Sequence, residues 1–405
     1  MKSSLLALFL CFQAAAFAQT EQLQFAVIVS RHGVRSPTWE LGRLNQYSAA
    51  AWPNFGVAPG LLTPHGRTLM QMMGRFYRSY FPELVSRSGC ADTPYFRADS
   101  EQRTLETAKA LADGLAPGCK VEIHSASQDE SDPLFDGTEA GTARLDANLA
   151  LAAVAGRLGP QPQAAIAAHQ AAFDQLAWLL KGNGKAARSI LEEPFTLTAS
   201  KGTATMSGPL SLASTLSEDL LLEYAEGMSG QNLGWGRLTA ANLLQVMSLH
   251  TAYAELMRRT PYLARTRGSN LLSYVLKALE QAADGKAQAP LLVIAGHDTN
   301  LSNLSGMLGL SWLLPGYQAD DAPPGGALLF TLWKSAAGRY SVRLQFTAQT
   351  LDQMHDLTPL SPAHPPPMAN VFVPGCSSAA EGYACDWDAF RTVARGAIMP
   401  GFVAK

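Results

Sequence analysis

Charge is scarce in this chain. Only 16% of its 405 residues are Asp, Glu, Lys or Arg, against about 25% in an average soluble domain. The two signs nearly cancel, with 31 basic and 33 acidic residues. A net charge of -2 supplies no long-range field, which excludes nucleic acid or an anionic membrane as a partner held by overall charge. Disorder is excluded as well, because 47% of the residues are hydrophobic and disordered chains are poor in apolar groups. No uncharged apolar run reaches the roughly 20 residues that a bilayer span requires, so no membrane anchor is expected. Metal-site spacing is also missing: no H-x-x-x-H pair or carboxylate–histidine pattern links His65, His124, His169, His250, His355 and His364. These six read as structural or surface residues, and neither a metal nor another cofactor is expected.

Cysteine is sparse too, at five residues. Lys2, the apolar stretch Leu5 to Phe12 and the small-x-small site Ala16-Phe17-Ala18 have the pattern of a secretory signal peptide over residues 1–18. Its removal takes Cys11 away and predicts a periplasmic or secreted protein. Cys90, Cys119, Cys376 and Cys385 remain. An even number in an oxidising compartment reads as two disulfides with three connectivities. Nearest-neighbour pairing is the simplest of the three, and each closed loop would contribute about 2 to 3 kcal/mol by chain entropy.

The rest is long enough for two or three domains at about 150 residues each. Phe25 to Val29 is a continuous apolar run that suits a strand buried on both faces, and it stops at Ser30-Arg31-His32-Gly33. Thr63-Pro64 caps a helix whose apolar face is Leu69, Met72, Met73 and Phe76. Tyr95 to Ala98 is a short strand, after which Asp99 or Ser100 is expected to cap a helix ending before Pro117. From about Gly141 to Arg259 alanine and leucine dominate, and helices are expected around 146–157, 163–181, 211–227 and 240–259 without a buried strand. Leu291 to Ala295 resumes the buried-strand pattern, ends at Gly296-His297-Asp298 and enters a helix near Asn300. Ala327 to Trp333 and Tyr340 to Gln349 read as a hairpin around Gly338. The fold class is therefore α/β, a sheet domain interrupted in sequence by a mostly helical one.

Ligands of open α/β sheets bind beyond the carboxyl ends of the strands, and two strands here end in histidine. Arg31, His32 and Arg35 lie within five residues, with Gly33 read as permitting a sharp turn. Two guanidiniums beside an imidazole repel one another unless an anion sits among them. Guanidinium matches phosphate bidentately, which makes a phosphate group the expected anion. Arg103 and His297-Asp298 would complete a charge clamp, a nucleophile and a proton donor. That set suits phosphoryl transfer without a metal, in which a neutral imidazole attacks phosphorus and a carboxylic acid protonates the departing oxygen.

Arg31-His32-Gly33-Val34-Arg35-Ser36-Pro37 resembles the RHGxRxP signature of the histidine acid phosphatases, and His297-Asp298 resembles that family's HD motif. Leu62 to Gly66, Gln102-Arg103-Thr104, Gly234 to Arg237, Gly296 to Asn300 and Pro323 to Gly326 resemble segments of its bacterial periplasmic phytase and acid phosphatase branch. The likeness covers essentially the whole mature chain. It implies a phosphoglycerate-mutase-like central mixed sheet flanked by helices, with an inserted mostly α-helical domain at 144–258 between sheet-domain parts at 19–143 and 259–405. It also implies a phosphohistidine on His32, a proton donor in Asp298, and phosphate binding by Arg31, Arg35, Arg103 and His297. Thr38, Trp39, Met228, Arg267 and Thr299 become candidate substrate-pocket residues. Cys90 with Cys119, and Cys376 with Cys385, resemble two family disulfides. Where phytases of the branch carry a lysine, this chain has Trp39, an indole in place of a charge that would meet peripheral phosphates. The expected activity is acid phosphomonoester hydrolysis by a monomer acting on a small-molecule ester. Phytate is one candidate substrate, and the alternative is a glucose-1-phosphatase-like sugar phosphatase or a phosphotransferase.

Overall fold

A computed structural model describes residues 21–85, 90, 93–127, 130–142, 144–200 and 202–404. The expected signal peptide, 1–18, lies outside the described residues. In chain order the strands are β1 (Gln22–Arg31), β2 (Tyr95–Ala98), β3 (Ile123–His124), β4 (Thr196–Ser200), β5 (Thr203–Ser207), β6 (Leu291–Gly296), β7 (Ala327–Lys334), β8 (Tyr340–Thr347), β9 (Met368–Val371) and β10 (Cys385–Asp386). Eight of them form one mixed sheet in the order β10-β8-β7-β1-β6-β2-β3, with β9 also paired to β8. The parallel half runs β1-β6-β2-β3, and the antiparallel half begins where β7 meets β1.

The apolar run at the start of β1 separates by alternation. Phe25, Val27 and Val29 pack into a core that continues through the helical part of the chain. Ala26 and Ile28 face the helices Pro64–Tyr80 and Gln102–Leu115 on the other side. A strand buried on both faces needs apolar residues at every position, which is why its sequence does not alternate.

Register then places the chemistry. Arg31 pairs with Gly296 across β1 and β6, and Ala98 pairs with Ala295 across β2 and β6. The three strands therefore end at one rim, where the His32 amide donates to Gly296 O at 2.8 Å and the Asp99 amide to Ala295 O at 3.0 Å.

Helices Ala147–Leu158, Pro209–Ala225 and Ala240–Met257 occupy the expected segments, and the 163–181 stretch is two helices, Pro162–Ala167 and Gln170–Lys181. Four local features differ from the expectation. The β4–β5 hairpin sits inside the segment expected to be helical. Helix Pro261–Ala283 follows directly after it, announced by Thr260-Pro261. Glu101, not Asp99 or Ser100, stands at the N-cap of helix Gln102–Leu115, and its side chain makes no cap bond. Gly33 is required for space and not for a turn: a Cβ there would lie 2.7 Å from Met70 Cγ and 3.0 Å from Gly66 O. Thr63 does cap its helix, accepting from the Gly66 amide at 2.9 Å. Disulfides join Cys90 to Cys119 and Cys376 to Cys385. No helix among the described residues is long and apolar enough to cross a membrane.

Candidate active site

A cleft of about 450 Å³ opens at the strand rim, and His32, Arg35, Arg103, His297, Asp298 and Thr299 lie on its wall. Thr38, Trp39, Met228 and Arg267 do not line it. Trp39 instead stacks under the exposed Arg43 guanidinium, 3.4 Å from the ring centroid. Arg267 is committed to Thr203 Oγ1 at 2.9 Å and to Met257 O at 3.2 Å. Arg31 is fully buried behind the cleft wall. Its two terminal nitrogens donate to Ala322 O at 2.6 Å and to Glu218.

His32 is 2% exposed, and its tautomer follows from its neighbours. Nδ1 lies 2.8 Å from Gly33 O; a carbonyl oxygen only accepts, so Nδ1 carries the hydrogen and Nε2 keeps its lone pair. Burial, followed by the charges of Arg31, Arg103, Arg35 and His297, holds this imidazole well below the ordinary histidine range. Burial and the surrounding cations thus favour the uncharged ring.

Glu218 balances that charge from within helix Pro209–Ala225. It receives Arg31 and stands 3.3 Å from Arg35. Burial alone would raise its pKa, but Arg35 and Arg31 hold the carboxylate in its ionised form. The Nε atoms of Arg31, Arg35 and Arg103 have no hydrogen-bond partner among the described residues.

His297 closes the other side, its ring centroid 5.6 Å from that of His32. Its Nε2 is 2.7 Å from Asp99 Oδ2 and 3.1 Å from Glu101, and Glu101 also pairs with Arg103. Ligand atoms of Asp99, Glu101 and His297 lie within 4.8 Å of one another, the one such grouping among the described residues able to hold a metal. In this arrangement the two carboxylates are already engaged by His297 and Arg103.

Asp298 begins helix Asp298–Leu308 and is 8% exposed. Arg258 donates to its Oδ2, and His250 Nε2 lies 3.6 Å from the same oxygen. Burial favours the neutral acid here, yet Arg258, Arg31 and His250 together hold the group well below the usual carboxylate range. Sequence reasoning missed Glu218, Arg258 and Asp99 as site residues and placed His250 among the structural histidines. Glu218 left a trace: it sits with Asp219 in a helix whose other positions are almost all apolar or small. The cleft lining also holds Glu130, Asp136 and Glu139, and no lysine among the described residues.

Residues 22–347 match the histidine phosphatase superfamily, branch 2. Phytase AppA of Escherichia coli (strain K12) is 35% identical over 413 residues, covering 95% of this chain and 95% of that protein. Glucose-1-phosphatase of Providencia rettgeri is 27% identical over 417 residues, covering 96% and 98%. Among solved structures, Hafnia alvei phytase in complex with myo-inositol hexakis sulphate superposes with a TM-score of 0.87 at 33% identity, covering 95% of this chain and 99% of that one. A match of this extent, on a chain whose RHG and HD segments leave adjacent parallel strands at one rim, makes it a member of branch 2 of the histidine phosphatase superfamily.

Proposed function

We propose that the chain hydrolyses phosphomonoesters at acidic pH in two displacements, with phosphate carried on His32 between them. The observation that carries the reading is the geometry at His32: Nδ1 donates to Gly33 O, so Nε2 keeps its lone pair, and Arg31, Arg35 and Arg103 surround the ring and favour its uncharged form. Arg35 and Arg103 would hold equatorial phosphate oxygens with His297, while Arg31 adds positive potential from behind. This arrangement neutralises charge as it shifts during in-line transfer. Nε2 attacks phosphorus, the P–O bond to the alcohol breaks, and Asp298 protonates the departing oxygen. Water then attacks the phosphohistidine, Asp298 receives its proton, and phosphate leaves.

The substrate is a small-molecule phosphomonoester. Phytate is one reading, supported by the likeness to phytase AppA. A sugar phosphate is the other, supported by the likeness to glucose-1-phosphatase and by Glu130, Asp136 and Glu139 on the cleft wall. Carboxylates there oppose the extra phosphates of a polyanion, so the geometry favours an ester bearing one phosphate. Export to an oxidising compartment accords with the two disulfides. We retain the division into sheet-domain parts 19–143 and 259–405 around a helical domain at 144–258, acting as a monomer.

Rapid acid-free quenching with labelled substrate tests the route. Phosphate bound covalently to His32, labile in acid, is the expected result, and its absence from an active enzyme refutes the covalent step. A panel of phytate, glucose 1-phosphate and p-nitrophenyl phosphate in EDTA, repeated on Trp39→Lys, tests the substrate reading. The expected order places glucose 1-phosphate above phytate.

A further inference from the structure

Asp298 can release an alcohol only while it carries a proton, yet the resting geometry holds it as a carboxylate against Arg258. A proton source lies on its buried side. His250 projects from helix Ala240–Met257 and is 4% exposed. Its Nδ1 is 3.2 Å from Ser214 O and 3.2 Å from Ser214 Oγ. The carbonyl can only accept, so Nδ1 carries a hydrogen. That leaves Nε2, 3.6 Å from Asp298 Oδ2, as the atom through which this imidazole gains or loses its second proton.

We propose that His250 stores the proton used by Asp298: the proton rests on Nε2, 3.6 Å from the Asp298 carboxylate, and moves onto Asp298 when a phosphate dianion enters the cleft and the two groups close to hydrogen-bond distance. The proposal rests on the phosphatase reading above. His250 acts through Asp298 and is a positioning residue, since it does not line the cleft.

The charges around His250 fit the task. Asp298 on helix Asp298–Leu308 and Glu218 on helix Pro209–Ala225 face it with negative charge and Arg258 opposes them, while Asp321 in the loop before β7 is pushed toward its neutral form by burial. Burial favours the neutral ring, but the Asp298 contact and the Glu218 charge outweigh it and raise the pKa above the ordinary histidine value. In acid the resting pair is an imidazolium beside a carboxylate. An arriving dianion draws on Arg258, which also lines the cleft, and its own charge favours the protonated acid at Asp298.

The cycle balances. As the P–O bond breaks and the bond from phosphorus to His32 Nε2 forms, the Asp298 proton goes to the alkoxide oxygen, leaving neutral His250 and ionised Asp298. In the second displacement the proton of the attacking water goes to Asp298 and returns to His250, the N–P bond breaks, and phosphate departs.

His250→Asn tests the relay by pH profile and by leaving group. At pH 5 its kcat/KM should fall by about 100-fold for glycerol 2-phosphate, the scale of lost general acid catalysis. For p-nitrophenyl phosphate, whose leaving group needs little protonation, the loss should be under about threefold. The alkaline limb for the alkyl ester should also move to lower pH. Equal losses on both esters with an unshifted profile overturn the relay. Nitrogen NMR of the histidine-labelled wild type decides the same point without turnover. His250 should be protonated on both nitrogens at pH 5 and titrate above 6.5, and the midpoint should fall in Asp298→Asn. A ring that stays singly protonated down to pH 5 overturns the proposal. If the wild type hydrolyses no phosphomonoester, the phosphatase reading fails, while the NMR result still decides whether His250 holds the stored proton.

Discussion

Asp219→Asn should make the protein more stable at neutral pH and leave it nearly unchanged in acid. Asp219 is 1% exposed in helix Pro209–Ala225, and its Oδ2 has no partner among the described residues. Burial pushes its pKa up from an ordinary 3.8 to about 8; the Arg35 charge opposes the rise and that of Glu218 adds to it. Between those two values the folded state binds a proton that the unfolded state has lost. Stability from this group is therefore complete below about pH 4 and is lost as pH rises toward 8. At about 1.4 kcal/mol per pH unit the full interval corresponds to about 6 kcal/mol, of which about 4 is expressed at pH 7. Local rearrangement relieves part of this, leaving about 2 kcal/mol as the expected gain for the amide. An unfolding entropy of about 2.1 cal/mol/K per residue converts that to a Tm rise of about 2 to 3 °C in a chain of this length. Glu223, pushed up to about 8 chiefly by burial, follows the same rule. Asp99, Glu218 and Asp298 have the opposite sign: their depressed pKa values add stability above the unfolded value that is lost as pH falls. Comparing variant with wild type cancels those common contributions. Calorimetry at pH 4.5 and pH 7.5 is the assay, and a Tm difference that is the same at both pH values refutes the buried neutral acid.

Two further outcomes follow from the cleft. Asp298→Ala should slow alkyl phosphates by about 100-fold or more and p-nitrophenyl phosphate far less, because only the alkoxide needs a proton on leaving; steady-state kinetics at pH 5 with equal losses would remove the donor role. Glu101 bridges Arg103 and His297 in the resting site and must yield to phosphate. Glu101→Gln should therefore tighten inhibition by inorganic phosphate about fivefold, the scale of about 1 kcal/mol for a partly exposed ion pair. Unchanged or weaker inhibition would show that the carboxylate does not compete for the seat.

The sequence by itself determined where chemistry could sit. A strand buried on both faces has no alternation and must end in a polar turn, so the stops at Arg31-His32 and Gly296-His297 were visible. The Thr63-Pro64 cap and the hairpin around Gly338 were visible for the same local reason, since caps and turns are set by neighbouring residues. Tertiary structure decided what those turns meet. Register between β1, β6 and β2 put His32, His297 and Asp99 at one rim, and Asp99 went to His297 instead of capping the helix after it. His250, Arg258 and Glu218 belong to helices whose sequences announce only burial. Their charges became legible once packing set each against Asp298 or Arg31, because the energy of an ion pair depends on a through-space distance that no spacing along the chain encodes.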